Sequence, residues 1–133
     1  MKIVDYVEKT HYEMLRAWWT FQREVPPTPG MVPEGSTWIV YAHSGVPLIS
    51  ASVLLTNSCV AYAENFVGNP FARGEFRKEA TDLLIRHGTE FARRANKTKL
   101  VCLAPNATLA AYYEKLGFVP TLKGLFGFVK EIS

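Results

Sequence analysis

Between Ser36 and Val67 lie three strand-like runs, "STWIVYA", "PLISASVLL" and "CVAYAENFV", separated only by "HSGV" and "TNS". Val, Ile, Thr and Tyr favour a pleated, half-buried surface. Connections this short, carrying Gly, Asn and Ser, cannot hold the crossover that parallel neighbours need, so the three strands form an antiparallel meander. Whatever the chain folds into is built around that meander. Its 133 residues are the size of one well-filled domain, and apolar residues at 48% against charged residues at 20% are enough to cover both faces of a sheet.

The flanking segments supply the cover. "KIVDYV" alternates like a short strand, and "HYEMLRAWWTFQ" reads as a helix with Met14, Leu15, Trp18, Trp19 and Phe21 on a broad apolar side. Thr10 is placed to cap it, with Glu13 completing a capping box. "VPPTPGMVPEG", with four prolines and two glycines, predicts a loop from Val25 to Gly35. After "GNPFARG" the longest helical pattern spans roughly residues 75 to 95, with Phe76, Ala80, Leu83, Leu84, Gly88, Phe91 and Ala95 recurring at three- and four-residue spacing. Gly88 lies on that apolar face, where it predicts a close approach of helix to sheet.

"KLVCLA" reads as a buried strand and "NATLAAYYEKL" as a helix, with Asn106 as N-cap and Gly117 as its stop. "FVP" and "LFGFVKEI", joined by "TLKG", would be closing strands. The order predicts a single α/β (α+β) domain over residues 1–133, with a mixed, mostly antiparallel sheet flanked by helices.

Several classes are excluded. Cys59 and Cys102 sit in apolar runs as small hydrophobes, not as a disulfide framework. His11, His43 and His87 share no metal-like spacing, so structural or surface roles are expected and no metal is. No run approaches the ~18 apolar residues of a membrane span, and the start has no signal-peptide pattern, which predicts a cytoplasmic protein without a membrane partner. A net charge of +3 argues against nucleic acid. Eight of the fifteen basic residues, however, gather between Arg73 and Lys99, either as a site for an anion or as a solvated helix face.

The second half of the chain resembles the GNAT superfamily of N-acetyltransferases. The residues that carry the likeness are Asn106 after a strand, Leu109 three positions on, Tyr113 seven positions on, and then Glu114, Lys115, Leu116, Gly117 and Phe118. The resemblance covers residues 36 to 120, and the first 35 fit by element order. It implies transfer of an acetyl group from acetyl-CoA to a primary amine, directly within a ternary complex. It also implies Tyr113 as the acid that protonates the departing thiolate, with Tyr112 turned elsewhere, toward the core. Backbone N–H groups near Phe66 or Val67 would bond the thioester oxygen.

The family's Arg/Gln-x-x-Gly-x-Gly/Ala turn, which wraps the coenzyme A pyrophosphate, is altered here: Arg73 and Gly74 start it, but Phe76 and Lys78 stand at its small positions, or Ala80 at the second if counted back from Leu83. A catalytically weak or inactive coenzyme A-binding or regulatory module is therefore the alternative.

The residues bear on that chemistry independently. A helix start presents free N–H groups and partial positive charge, so Arg73 to Ala80 is the best anion site, with Arg73, Arg77 and Lys78 adding charge; a plain charged helix start is the other reading. Glu64 is an acid within a mostly apolar strand. Partial burial would raise its pKa toward the range of a general base, and an ion pair with Arg73 or a solvent-facing rim position is the alternative. Asn106 caps its helix or also contacts the pantetheine arm. Nothing in the sequence names the amine acceptor, and "LFGFVKEI" offers an edge on which a second copy could pair into a homodimer.

Overall fold

A computed structural model describes residues 1–72, 74–103 and 107–119. The chain divides into two compact units, Met1–Leu103 and Ala104–Ser133. The first contains β1 (Lys2–Asp5), α1 (Glu8–Phe21), a 3-10 turn at Pro29–Met31, β2 (Thr37–Tyr41), β3 (Pro47–Leu55), β4 (Val60–Gly68), a 3-10 turn at Gly74–Phe76, α2 (Arg77–Arg94) and β5 (Lys99–Cys102). The described part of the second is α3 (Ala107–Lys115) and the turn that follows it.

The five strands pair in the order β1-β2-β3-β4-β5. The first three pairings are antiparallel, and β5 joins β4 in parallel after the α2 crossover. This is the predicted meander, extended by one strand on each side into a mixed, mostly antiparallel α+β sheet.

Alternation along the strands sends successive side chains to opposite faces. Trp38 and Val40 of β2 join Ala51, Val53 and Ala61 in a cluster with Ala80, Leu84 and Ala92 of α2. Ile39, between them, joins Tyr6, Val32 and Val67 in a second cluster with Leu15, Trp18 and Trp19 of α1. One helix therefore covers each face, which is why β2 reads as a continuous apolar run rather than an alternating one.

The helix starts differ from expectation. The first helix begins at Glu8, not after Thr10, and the predicted capping box does not form: Val7 stands at the N-cap with no side-chain cap bond. Two N–H groups at the helix start are bonded instead by one side chain of the helix itself and one from across the loop. Val7 N–H donates to His11 Nδ1 at 2.9 Å, and Glu8 N–H donates to Glu34 Oε1 at 2.8 Å from the Pro-rich loop. Glu13, freed from capping, pairs with Arg16 at 3.3 Å. Leu15, Trp18 and Trp19 are buried as predicted, but Phe21 is 61% exposed and meets only the rim, its ring 4.7 Å from that of Phe71.

The second helix is preceded by a 3-10 turn that contains Phe76, which leaves this ring exposed and off the buried stripe. Cys59 lies exposed in the β3–β4 turn rather than buried in a strand, while Cys102 is half-buried at the end of β5.

Gly88 makes the close approach its position predicts. A Cβ built there would lie 2.9 Å from Val53 Cγ2, inside any normal contact. Gly88→Ala gains roughly 1 kcal/mol of helix propensity but must push α2 off the sheet at a stiff, β-branched neighbour. The expected result is a net loss of about 1–2 kcal/mol in denaturant unfolding, restored in large part by Val53→Ala in the double variant. Equal losses with and without Val53→Ala would show that the contact is not what limits the substitution.

Candidate active site

The third and fourth strands fall out of step at one place. Ser50 pairs with Val67 and Ser52 with Glu64, so Ala51 on β3 faces two residues, Asn65 and Phe66, on β4. This is a β-bulge, and it bends β4 in mid-run. Asn65 carries the strain with φ at +57°, a left-handed conformation that asparagine tolerates better than most residues. Its side-chain amide donates to Met31 O at 2.9 Å and to Ser52 Oγ at 3.0 Å. Ser52 is itself buried and shares a 2.7 Å hydrogen bond with Thr37 Oγ1.

On either side of the bulge, neighbouring side chains leave in opposite directions: Phe66 packs on the α2 cluster and Val67 on the α1 cluster. The parallel ladder between β4 and β5 ends at Ala63–Cys102, while β4 runs on to Gly68. A bulge bends its strand and re-aims the side chains around it, as bulges beside ligand sites do.

Glu64 sits beside the bulge, one residue past the last β4–β5 pair, opposite Ser52 and half-buried. Burial raises its carboxyl pKa above the ordinary glutamate value. Among the described residues no cation pairs with it, and Arg73, its other suggested partner, lies outside them. Nearby, the Cys102 thiol is pushed up to about 12, first by burial and then by the charge of Glu64. At neutral pH it is a protonated thiol and a poor nucleophile.

The turn from β4 into α2 is held by Asn69, whose Oδ1 accepts from Phe71 N–H at 2.9 Å and whose Nδ2 donates to Pro47 O at 2.8 Å. Arg77 folds back over Gly68 and donates to Asn69 O at 2.7 Å, lying where a Cβ on Gly68 would meet its guanidinium at 3.2 Å. One of the three cations suggested for an anion thus also fastens the turn. Gly74 has open space about it, Lys78 is exposed, and α2 starts at Arg77 with Phe76 at its N-cap and no side-chain cap bond. Ala80 is fully buried in the α2 cluster, so its methyl group faces the core and not a ligand.

In the second unit, the end of α3 accounts for part of the Tyr113–Phe118 motif in structural terms. Gly117, with φ at +91°, donates to Glu114 O at 3.1 Å, and Phe118 N–H donates to Tyr113 O at 3.1 Å. These two bonds make a Schellman cap, and the hydrophobic contact that accompanies such caps is the Tyr113 ring, 5.5 Å from that of Phe118. Tyr113 is buried, at 4% exposure, and Tyr112 only half-buried, so the core position expected for Tyr112 belongs to its neighbour. Asn106, Pro120 and the expected closing strand "LFGFVKEI" lie outside the described residues, and Phe118 and Val119, expected to begin the other closing strand, carry no regular structure.

The sequence matches no protein-family model and no curated protein. Solved structures do match. An acetyltransferase from Trypanosoma brucei superposes with a TM-score of 0.70 at 17% identity, over 96% of this chain and 99% of its own. Glucosamine-6-phosphate N-acetyltransferase from Arabidopsis thaliana superposes at 0.68 with 13% identity, over 97% and 98%. The fold is that of the GNAT acetyltransferases. An aminoglycoside N-acetyltransferase in complex with coenzyme A also matches, at 0.63 with 16% identity, over 98% and 100%.

Within this GNAT fold the bulge is the feature the sequence reading missed. The signal was present: Asn65 interrupts an otherwise apolar strand run, and asparagine is among the few residues suited to a left-handed kink. Glu34 as a remote helix cap, by contrast, left no sequence signal, because its partner lies 26 residues away.

Proposed function

We propose that the chain is an acetyl-CoA-dependent N-acetyltransferase that moves the acetyl group directly to a primary amine in a ternary complex. The observation that carries the reading is Glu64: a half-buried carboxylate with a raised pKa, set beside the β4 bulge and one residue past the last β4–β5 pair. That is the place for a base on a GNAT fold, and matching structures that hold coenzyme A support the donor.

Glu64 takes the proton from the substrate ammonium, through water, and so frees the nitrogen lone pair to attack the thioester carbon. Backbone N–H groups at Phe66 or Val67 stabilise the oxygen as negative charge builds on it. The attacking nitrogen sheds its second proton to water, and as the C–S bond breaks the Tyr113 phenol gives its proton to the leaving sulfur and regains one from that water. The balance is amide, free thiol and one proton. The protonated Cys102 thiol is a poor nucleophile for an acyl-enzyme route. For the pyrophosphate, the exposed Lys78, the open backbone at Gly74 and the uncapped start of α2 fit an anion, with Arg73 and Arg77 adding charge and Asn106 assigned to the pantetheine arm. The acceptor is a small-molecule or protein amine, the proposed setting is the cytoplasm, and a homodimer through the closing strands is part of the same proposal.

The second reading, a coenzyme A-binding module without turnover, is favoured by Arg77's engagement with Asn69 and by Glu79 in the first turn of α2, where its charge opposes a pyrophosphate. Two measurements separate the readings. Acetyl-CoA at ~100 times its Kd stabilises the protein by ~2.7 kcal/mol under both. Only the first gives amine-dependent release of free thiol, with Tyr113→Phe lowering kcat by ~100-fold and leaving the KM for acetyl-CoA within twofold. Turnover of Tyr113→Phe within twofold of wild type would remove Tyr113 from the acid's role.

A further inference from the structure

A groove of about 640 Å³ lies between α2 and the turn from β2 to β3, and it shares no side chain with the Glu64 site. Its volume falls in the range of small-molecule sites, roughly 300–1,000 Å³. One wall is a stripe of residues at three- and four-residue spacing, and so on one helix face: Phe76 at the N-cap of α2, then Glu79, Leu83 and Arg86. The stripe alternates ring, acid, alkyl chain and base. His43 and Ser44 of the turn stand on the other wall, and Asp82 also borders the groove. Among the described residues neither the Glu79 carboxylate nor the Arg86 guanidinium has an ion-pair partner. The hydrogen bond from the Arg86 side chain is a long one, from Nε to Asp82 O at 3.5 Å. Further along the same helix the charges are matched, Glu90 being paired with both Arg93 and Arg94. Glu79 and Arg86 are seven residues apart, which at roughly 1.5 Å per residue sets them about 10 Å apart along the helix axis.

We propose that this groove binds a short zwitterionic peptide with free ends, its ammonium paired with Glu79, its carboxylate with Arg86, and a central apolar side chain laid on Leu83. The separation of the two charges selects the length. An extended chain advances roughly 3.3–3.6 Å per residue, so about three residues span the distance, whereas a single amino acid carries both charges on one carbon and cannot meet both partners. The guanidinium offers a carboxylate two parallel N–H bonds. His43 and Ser44 present an imidazole and a hydroxyl to the peptide backbone between the two ends. This binding is independent of the acetyl-transfer reading.

The test titrates the purified chain with the tripeptide Ala-Leu-Ala and follows backbone amide shifts by nuclear magnetic resonance. The same peptide acetylated at its amine, the same peptide amidated at its carboxylate, and free leucine are titrated alongside. Glu79 and Arg86 are exposed, so Glu79→Gln and Arg86→Gln keep the fold. The expected result is saturable shifts at residues 42–44 and 76–86, with a Kd on the order of 1 mM. Acetylating the peptide and Glu79→Gln should each weaken binding about two- to fivefold, and together no more than either alone, because both remove one ion pair. Amidating the peptide and Arg86→Gln should behave as a second such couple. Leucine should bind more weakly than Ala-Leu-Ala by at least about fivefold. Absence of saturable shifts at these residues up to ~10 mM peptide would overturn the proposal, as would shifts confined to other residues. Blocked peptides or leucine binding as well as Ala-Leu-Ala would overturn it equally, and so would losses from blocking and substitution that simply add.

Discussion

Glu64→Gln is expected to cut kcat for acetyl transfer on the order of a hundredfold to a thousandfold, and at the same time to raise the melting temperature at neutral pH. The first effect follows from the proposed role of Glu64 as base, the second from the burial that raises its pKa. An amide of the same shape cannot accept the ammonium proton, so the rate falls. Wild-type activity should rise with pH through the raised Glu64 pKa, because a base works only when deprotonated, and that limb should vanish in the variant. The stability effect has the opposite direction. A carboxyl whose folded pKa is raised stabilises the fold while protonated; that contribution is whole below the ordinary value of 4.5 and is lost as pH rises through the higher folded pKa. At neutral pH the ionised, half-buried carboxylate is therefore a cost that glutamine removes. The gain in melting temperature should shrink toward zero below about pH 4. A variant less stable than wild type at pH 7 would show that Glu64 is held by a favourable charge partner and is not a strained base.

Trp38→Ala is expected to be the most damaging single change to the fold, at about 3–5 kcal/mol, or roughly 10–15 °C in melting temperature. Trp38 is 4% exposed, and its ring stands edge-on to His87 and Phe91 of α2, with centroids 4.8 and 5.0 Å away. It therefore fills the space where one turn of α2 crosses β2, and no neighbouring side chain can collapse into the void without drawing α2 toward the sheet. Gly88 already brings the helix within contact of Val53, so that movement is blocked. Trp38→Phe retains most of the volume and should cost less than half as much. A loss under 2 kcal/mol for alanine in denaturant unfolding would mean that α2 relaxes into the gap, against the tight spacing that Gly88 defines.

The sequence made the scaffold legible wherever one short-range rule decided it. Three- and four-residue connections admit only a meander, and Gly88 on an apolar helix face has few uses other than close approach. Legibility failed where partners are distant in sequence. The first turn of α1 is capped by His11 and by Glu34 from across the loop, so the Thr10–Glu13 pattern, sound as a local rule, lost to a tertiary arrangement. Arg77 reads as a surface cation in the sequence, but its side chain reaches back over Gly68 to Asn69 O, eight residues away. Glu64 could be singled out as an acid in an apolar run, but the bulge that sets its neighbourhood is a mismatch between two strands and is invisible in either one alone. Only resemblance points to Tyr113 as an acid; what the structure shows of it is a place in the cap that ends α3.

The central claim is direct transfer from acetyl-CoA to an amine, and release of coenzyme A thiol tests it most directly. The purified chain is mixed with acetyl-CoA first without any amine and then with a panel of small amines and amine-bearing peptides. The account predicts no thiol release above background in the first case, and steady, amine-dependent release with at least one member of the panel in the second. A burst of about one thiol per chain before any amine is added would reveal an acyl-enzyme and contradict it; so would silence across the panel from a protein that acetyl-CoA does not stabilise.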